Sequence, residues 1–347
     1  MFCMMNAIEW NLNTDQDNHM SEPLITLEHV MRTFVVKGQT IKAVDDINLS
    51  IPAGELLCLV GESGCGKTTT GRMIAGLLPT SSGRILYRGK DIATLARNDH
   101  KKYRLGVQMV HQDPYASLNP IQTIYDTLAA PLQHHGFTRG EAETKRRVRD
   151  LLEIVDLTPP DDYLEKYPHQ LSGGQRQRVS VARALTVRPA FIVADEAVSM
   201  VDVSIRISLL KMFARLKEEM GVGVLLITHD LALAKYFAWE GRIGVMYLGR
   251  LVEIGPAPEL VSHPQHPYTQ VLLSAIPEAD PDATRLKPRI ELRSTDMPSL
   301  LQLPSGCAFH PRCPVFMGEV CEKVVPQLER ADWGSDVACH LVESHES

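Results

Sequence analysis

The 347-residue sequence is poor in aromatic side chains, at 6%, and has no apolar run of the roughly 18 residues that a bilayer-crossing helix requires. That excludes a chain that spans a membrane on its own helices. The opening MFCMMNAIEW has no basic stretch followed by an apolar one, so it does not read as a secretory signal. Positive charge is not in excess: 36 Lys plus Arg stand against 42 Asp plus Glu, a net −6, which excludes a broadly basic nucleic-acid binder. No C-x-x-C pair occurs, so the usual zinc-ribbon spacing is absent. Together these absences predict a soluble protein working inside the cell without nucleic acid as partner. What remains, 44% hydrophobic and 22% charged, is ordinary globular composition.

Residues 1–22 are polar and without periodicity, which predicts a loose tail, with Met20 as an alternative start. From Leu24 onward, apolar runs of strand length alternate with helical stretches, the pattern of an α/β fold. Strands are expected at Leu24–Val30, Ile41–Ile51, Glu55–Val60, Gly83–Tyr87 and Gly106–Val110, with a helix from Lys67 to Leu78. A mainly helical insertion follows, at about 113–185. Ala190–Ala194 and Val222–Thr228 are the continuous apolar runs of buried parallel strands, separated by an amphipathic helix over Val203–Met220. Strands at Ile243–Tyr247 and Leu251–Ile254 come last, and beyond Gly255 the chain turns proline-rich. The expected division is a tail at 1–22, a cassette at 23–257 and an irregular, cysteine-rich end domain at 258–347.

Gly61-Glu-Ser63-Gly64-Cys65-Gly66-Lys67-Thr68 fits G-x-x-x-x-G-K-[ST], and it falls between a buried strand and a helix. Glycines let the backbone wrap a phosphate chain with its amides turned inward, and the following helix adds its positive end. Lys67 is placed for the outer phosphates, Thr68 for Mg2+, and Thr69 continues the same turn. Phe191-Ile-Val-Ala-Asp195-Glu196 is an apolar strand ending in two acids: Asp195 suits Mg2+, and Glu196 suits an attacking water. Leu171-Ser172-Gly173-Gly174-Gln175 is a second anion cradle at a helix start. Two cradles for one nucleotide make sense when each serves a different copy of bound ATP.

In that order, the phosphate loop, LSGGQ and ADE strand resemble the nucleotide-binding subunit of an ABC transporter. The resemblance implies a P-loop ATPase cassette in which two subunits meet head to tail around ATP. It implies further roles for single residues. Gln112 resembles the Q-loop glutamine that contacts Mg2+ or the lytic water and faces the membrane subunits. His229 resembles the switch histidine at the γ-phosphate, and Asp202 falls at the D-loop of the dimer interface. Phe34 is the candidate to stack on adenine, with a place in the core as the alternative. Three positions depart from the family pattern: Ala197 follows Glu196 where proline is usual, the D-loop reads SMVD, and His111 stands where Phe is frequent. None removes a catalytic group, so an active ATPase is expected.

Of seven cysteines, four crowd the end as Cys307-x5-Cys313-x7-Cys321-x17-Cys339. Spacing alone leaves two readings, a metal centre or buried reduced core thiols. HPYTQVLLSAIP and GCAFHPRCP…ACHL, however, resemble the C-terminal region of oligopeptide/dipeptide importer ATPases. That resemblance, which covers residues 23–342, implies a [4Fe–4S] cluster of structural or regulatory role on these four cysteines, with Zn2+ as the alternative. His310 and His340 flank ligand cysteines, whereas His263 and His266 are assigned to a proline-rich turn.

The resemblance also implies partners: two integral membrane permease subunits, an extracytoplasmic substrate-binding protein, and a position on the cytoplasmic face of the membrane. GKTTTGR and QDPYASLN resemble the second of two non-identical ATPase subunits, so a heterodimer with a homologous ATPase is expected. Peptides are the default cargo, with oligosaccharides, nickel and glutathione as alternatives. A non-transport ABC ATPase is the rival class, but the insertion between Gln112 and LSGGQ is too short for a repair-type coiled coil.

Overall fold

The structure is a computed structural model and describes residues 22–199, 201–276 and 290–342. Residues 1–21, which hold Cys3, Met20 and nearly all of the expected tail, lie outside the described residues.

The chain opens with strands β1 (Ile25–Val36), β2 (Gln39–Ile51) and β3 (Leu56–Val60), then helix α1 (Lys67–Ile74). Strands β4 (Ser82–Tyr87) and β5 (Lys90–Asp91), helix α2 (Arg97–Gly106) and strand β6 (Val107–Val110) follow. The helical insertion comprises α3 (Pro114–Ser117), α4 (Ile124–His134), α5 (Glu141–Ile154), α6 (Asp161–Leu164) and α7 (Gly173–Leu185). Strand β7 (Phe191–Asp195), helix α8 (Val203–Met220), strand β8 (Gly223–Ile227) and helix α9 (Leu231–Phe237) come next. Strands β9 (Arg242–Tyr247) and β10 (Arg250–Pro256) precede helices α10 (Ala257–Ser262) and α11 (Pro267–Ser274). The described C-terminal residues add a short helix at Glu319–Lys323 and strands β11 (Glu329–Arg330) and β12 (Asp336–Val337).

Among the described residues the strands form two sheets. The smaller is antiparallel, in the order β2-β1-β4-β5, and the larger runs β11-β12-β10-β9-β3-β8-β7-β6. Its β9-β3-β8-β7-β6 stretch is parallel. Every residue of β3, β7 and β8 is buried, which explains their continuous apolar character. Alternation along these strands then divides the interior. Leu57, Leu59, Phe191, Val193, Leu225 and Ile227 face a core shared with the small sheet. Cys58, Val60, Ile192, Ala194, Val224 and Leu226 face a second core built with the helical insertion.

The segment after 257 packs onto this frame. β12 pairs antiparallel with β10, joining Glu253 to Val337, and Tyr268, Phe309 and Cys313 enter the core on the helical side.

Strand β1 runs on to Val36, past the expected Val30, and α9 is a helix the sequence reading does not include; two further differences have a clear local cause. Helix α1 stops at Ile74 rather than Leu78. Gly76 takes φ +65°, its N–H donates to Met73 O at 3.0 Å, and Leu77 N–H donates to Arg72 O at 2.8 Å, the glycine-terminated end that satisfies the last carbonyls. Helix α2 is also absent from the sequence reading, because RNDHKKYRLG is polar around nearly its whole circumference. Tyr103 is its one buried side chain, donating to Ile74 O at 2.6 Å, and Arg104 beside it donates to Gly76 O at 3.0 Å.

Candidate functional site

The phosphate loop leaves the end of β3 and enters α1. At Gly61, φ +148°, an added Cβ would stand 2.2 Å from Met246 O; at Gly66, φ +105°, it would stand 2.3 Å from Ala43 O. Both positions therefore exclude any side chain. Lys67 is buried and donates to Gly61 O at 2.8 Å and Glu62 O at 2.9 Å, which folds its ammonium over the loop. Cys65 is buried beside it, its Sγ 3.5 Å from Lys67 Nζ, and burial raises its thiol pKa. Ser63 and Gly64 are exposed, while Thr68 and Thr69 are half-buried.

The strands beside β3 supply the rest. β8, β7 and β6 lie next to one another in register, so the residues just past their C-terminal ends share one crevice with the loop. Asp195 ends β7 and its Oδ1 accepts from Thr68 Oγ1 at 2.8 Å. Burial raises the Asp195 pKa, against the Thr68 hydrogen bond and the Arg72 charge, which lower it. Two oxygen donors held together beneath a phosphate loop match the chemistry of a hard divalent cation. Glu196 follows at φ +46°, a left-handed conformation that strains a non-glycine residue. Its N–H donates to Ile227 O at 3.0 Å, and Ser199 Oγ donates to its carbonyl at 2.8 Å, so both of its backbone polar groups are held by neighbours. The carboxylate is bracketed: Gln112 Nε2 donates to Oε2 at 2.9 Å, and His229 Nδ1 lies 3.3 Å from Oε1. His111 is exposed at the crevice, and partial desolvation together with nearby Arg72 and Arg183 outweighs Asp195 to lower its pKa.

The LSGGQ turn stands apart. Ser172 caps α7: its Oγ accepts from Gln175 N at 3.3 Å while Gln175 Oε1 accepts from Ser172 N at 2.9 Å. Two first-turn amides, those of Gly173 and Gly174, remain as helix-start donors. Gly174 has a packing reason the sequence did not reveal, since a Cβ there would come within 2.6 Å of Ile205 Cγ2 on α8. Asp202, exposed at the start of α8, thus shares a surface with this turn. Among the described residues no hydrogen bond joins residues 172–175 to the phosphate loop. Phe34 lies half-buried on β1 with the Arg32 guanidinium 4.8 Å from its ring centre.

Cys307, Cys313, Cys321 and Cys339 line one small pocket, together with His266, His310 and His340. Burial raises the Cys307 and Cys313 thiol pKa values and pushes Cys339 up to about 11. Among the described residues no three His, Cys, Asp or Glu side chains are arranged to hold a metal ion, so ligand geometry gives the iron–sulfur expectation no support. His266, at the end of the proline-rich turn, is the buried N-cap of α11 and accepts from Tyr268 N at 3.0 Å.

Sequence reasoning missed Arg312 and Tyr268. Arg312 donates to both carboxylate oxygens of Glu62 in the phosphate loop, at 3.0 and 3.1 Å, and Tyr268 OH accepts from Glu62 N at 3.1 Å. Only HPYTQ and HPRCP, singled out for other reasons, marked these neighbourhoods.

A strand–loop–helix phosphate cradle, flanked by strand-end Asp, Glu, His and Gln, defines a P-loop nucleotide-hydrolysing cassette. Residues 44–199 match the ABC transporter family model, and residues 252–321 match that of the oligopeptide/dipeptide transporter C-terminal region. The chain is 42% identical over 326 residues to the putative oligopeptide transport ATP-binding protein YkfD of Bacillus subtilis, covering 94% of this chain and 97% of that one. Identity to the oligopeptide transport ATP-binding protein OppF of the same organism is 46% over 290 residues, covering 83% and 92%. To the probable peptide ABC transporter ATP-binding protein y4tS of Sinorhizobium fredii it is 40% over 329 residues, covering 93% and 91%. The dimeric ABC transporter cassette MJ0796 superposes with a TM-score of 0.60 at 28% identity, over 67% of this chain and 98% of that one. The chain belongs to the ABC transporter ATP-binding proteins, in the branch that carries the oligopeptide/dipeptide C-terminal region. It is an ATPase. Among the described residues no helix is long and apolar enough to cross a membrane.

Proposed function

We propose that the chain hydrolyses ATP to drive peptide import, as the peripheral cytoplasmic subunit of a transporter with two membrane permeases and an extracytoplasmic binding protein. The observation that carries this is the bracketed Glu196, held by Gln112 and His229 at the mouth of the phosphate loop in a chain with the peptide-importer end region. In this reading Lys67 and the loop amides bind the phosphates, Glu196 orients and polarises water, and His229 fixes Glu196 and meets the γ-phosphate. Thr68, Asp195 and Gln112 would hold Mg2+, which supplies charge neutralisation across the phosphates.

The separation of Ser172–Gln175 and Asp202 from the loop supports a two-subunit site in which this chain offers its LSGGQ surface to another ATPase. A homologous, non-identical ATPase is the proposed partner, as the resemblance of GKTTTGR and QDPYASLN to the second of two ATPase subunits implies. The four C-terminal cysteines are proposed to hold a [4Fe–4S] cluster with a structural or regulatory role. What supports this reading is the resemblance of the end region to oligopeptide/dipeptide importer ATPases together with four thiols lining one pocket, with Zn2+ as the alternative. Iron and sulfide analysis of anaerobically purified protein, with its visible spectrum, tests this; colourless, iron-free protein contradicts it.

The transport role is tested by affinity purification of the tagged chain from membranes, followed by peptide uptake in a deletion strain. Recovery of two permeases and a second ATPase, with loss of peptide uptake, is expected. Recovery of ribosomes or DNA without a permease would overturn the proposal.

A further inference from the structure

The first turn of the phosphate loop is gripped from outside the nucleotide crevice by the C-terminal region. Glu62 sits between Gly61, whose backbone leaves no room for a side chain, and the exposed Ser63. Its carboxylate is forked by Arg312, with Nη1 at 3.1 and 3.0 Å from the two oxygens and Nη2 at 3.1 Å from Oε1. Its amide is used by Tyr268 OH at 3.1 Å. The grip is rigid at its far end. Arg312 is 7% exposed, its guanidinium lies 5.9 Å from both the Tyr247 and Phe309 ring centres, and Nη1 reaches Tyr247 OH at 3.4 Å. Tyr268 is 1% exposed and packs on both rings.

The same segment carries the cysteine pocket. Cys307 N donates to Cys321 O at 2.9 Å, Arg312 N to Phe309 O at 3.0 Å, and Cys313 N to His310 O at 3.3 Å. The tight turn from Cys307 to Cys313 therefore places Arg312 between the pocket and the loop. Lys67, the phosphate-binding ammonium, rests on Glu62 O at 2.9 Å, so the position of Glu62 bears directly on that of Lys67.

We infer that Arg312 and Tyr268 are positioning residues for the ATPase: they hold Glu62, and through it the phosphate loop, in its phosphate-accepting shape, and they couple the C-terminal cysteine pocket to nucleotide binding. A charge-assisted fork is stronger than a neutral hydrogen bond, and a loop ordered beforehand need not be ordered at the expense of ATP affinity. The coupling is reciprocal, so bound ATP must also steady the Cys307–Cys313 turn. The inference rests on the loop being the ATP site.

The test uses the full-length protein, with ATP as the probe in the presence of Mg2+. Glu62→Gln and Arg312→Lys should each raise the ATP dissociation constant about tenfold, and Tyr268→Phe about fivefold. Glu62→Gln with Arg312→Lys should be no worse than either alone, because both break one contact. ATP should slow amide hydrogen exchange over residues 306–313 in the wild type but not in saturated Glu62→Gln. Dissociation constants within twofold of the wild type, or exchange equally slowed in Glu62→Gln, would overturn the inference. If Arg312→Lys does not fold, Glu62→Gln and Tyr268→Phe, both near-isosteric, decide the matter. A wild type that binds no ATP would instead bring down the nucleotide-site reading itself.

Discussion

Gln112 Nε2 donates to Glu196 Oε2 at 2.9 Å, joining residues just beyond the ends of two neighbouring parallel strands. The contact fixes one oxygen of the carboxylate, and His229 at 3.3 Å constrains the other. Two different losses follow. Gln112→Ala should lower turnover about tenfold, since it frees one oxygen of the Glu196 carboxylate and removes one of the three side chains proposed to hold Mg2+. His229→Ala should lower turnover about 100-fold, the low end of what a positioned acid–base group contributes. Steady-state phosphate release, paired with equilibrium ATP binding, separates the two quantities. A rise in the ATP dissociation constant without a fall in turnover would contradict both assignments.

The loop itself should fail in a different way. Gly66→Ala forces a Cβ to 2.3 Å from Ala43 O in a left-handed backbone, so ATP binding should fall below detection while the sheet remains folded. Lys67→Ala removes a charge-assisted contact to phosphate and should weaken ATP binding about 10- to 100-fold. Binding titrations with circular dichroism as a fold control check both.

Asp156 gives a prediction about stability and pH. It follows α5 and accepts from Arg178 on α7 and Arg215 on α8, each at 2.8 Å, so one carboxylate ties together the helices that present LSGGQ. Burial works to raise its pKa, but the hydrogen bonds from Arg215 and Arg178 outweigh it and hold the carboxyl below the ordinary 3.8. A carboxyl whose pKa is lowered by folding adds stability above its unfolded value and loses it as pH falls through the folded one. Asp156→Asn should therefore lower the midpoint of thermal unfolding by about 2–4 °C at pH 7, the worth of about 1 kcal/mol for a partly exposed pair. The difference should close as the pH drops below 3.8. Melting curves of both proteins from pH 7 downward through 3.8 measure this, and a gap that does not narrow as the pH falls would contradict it.

Much of this site was legible because its residues follow apolar runs. Asp195, Glu196 and His229 end or follow buried strands, and parallel order places strand ends in one crevice. Neighbouring β3 with its glycine loop needed no long-range information either. What escaped was set by tertiary contact. Arg312 meets Glu62 across 250 positions, and nothing local to HPRCP announces a carboxylate partner. Gly174 read as a phosphate-approach glycine, yet its room is taken by Ile205 of another helix. The polar α2 carried no apolar stripe, because one buried Tyr103 docks it. The early end of α1 was written in Gly76, but an isolated glycine inside a helical pattern does not by itself mark a C-terminus.

The most direct test of the account is Mg2+-dependent ATP hydrolysis by the wild type and by Glu196→Gln, with bound nucleotide identified after rapid separation. If Glu196 is the group that polarises the attacking water, the variant retains ATP unhydrolysed and turns over at least about 100-fold more slowly. Hydrolysis by Glu196→Gln at near wild-type rate would contradict the assignment of the catalytic site.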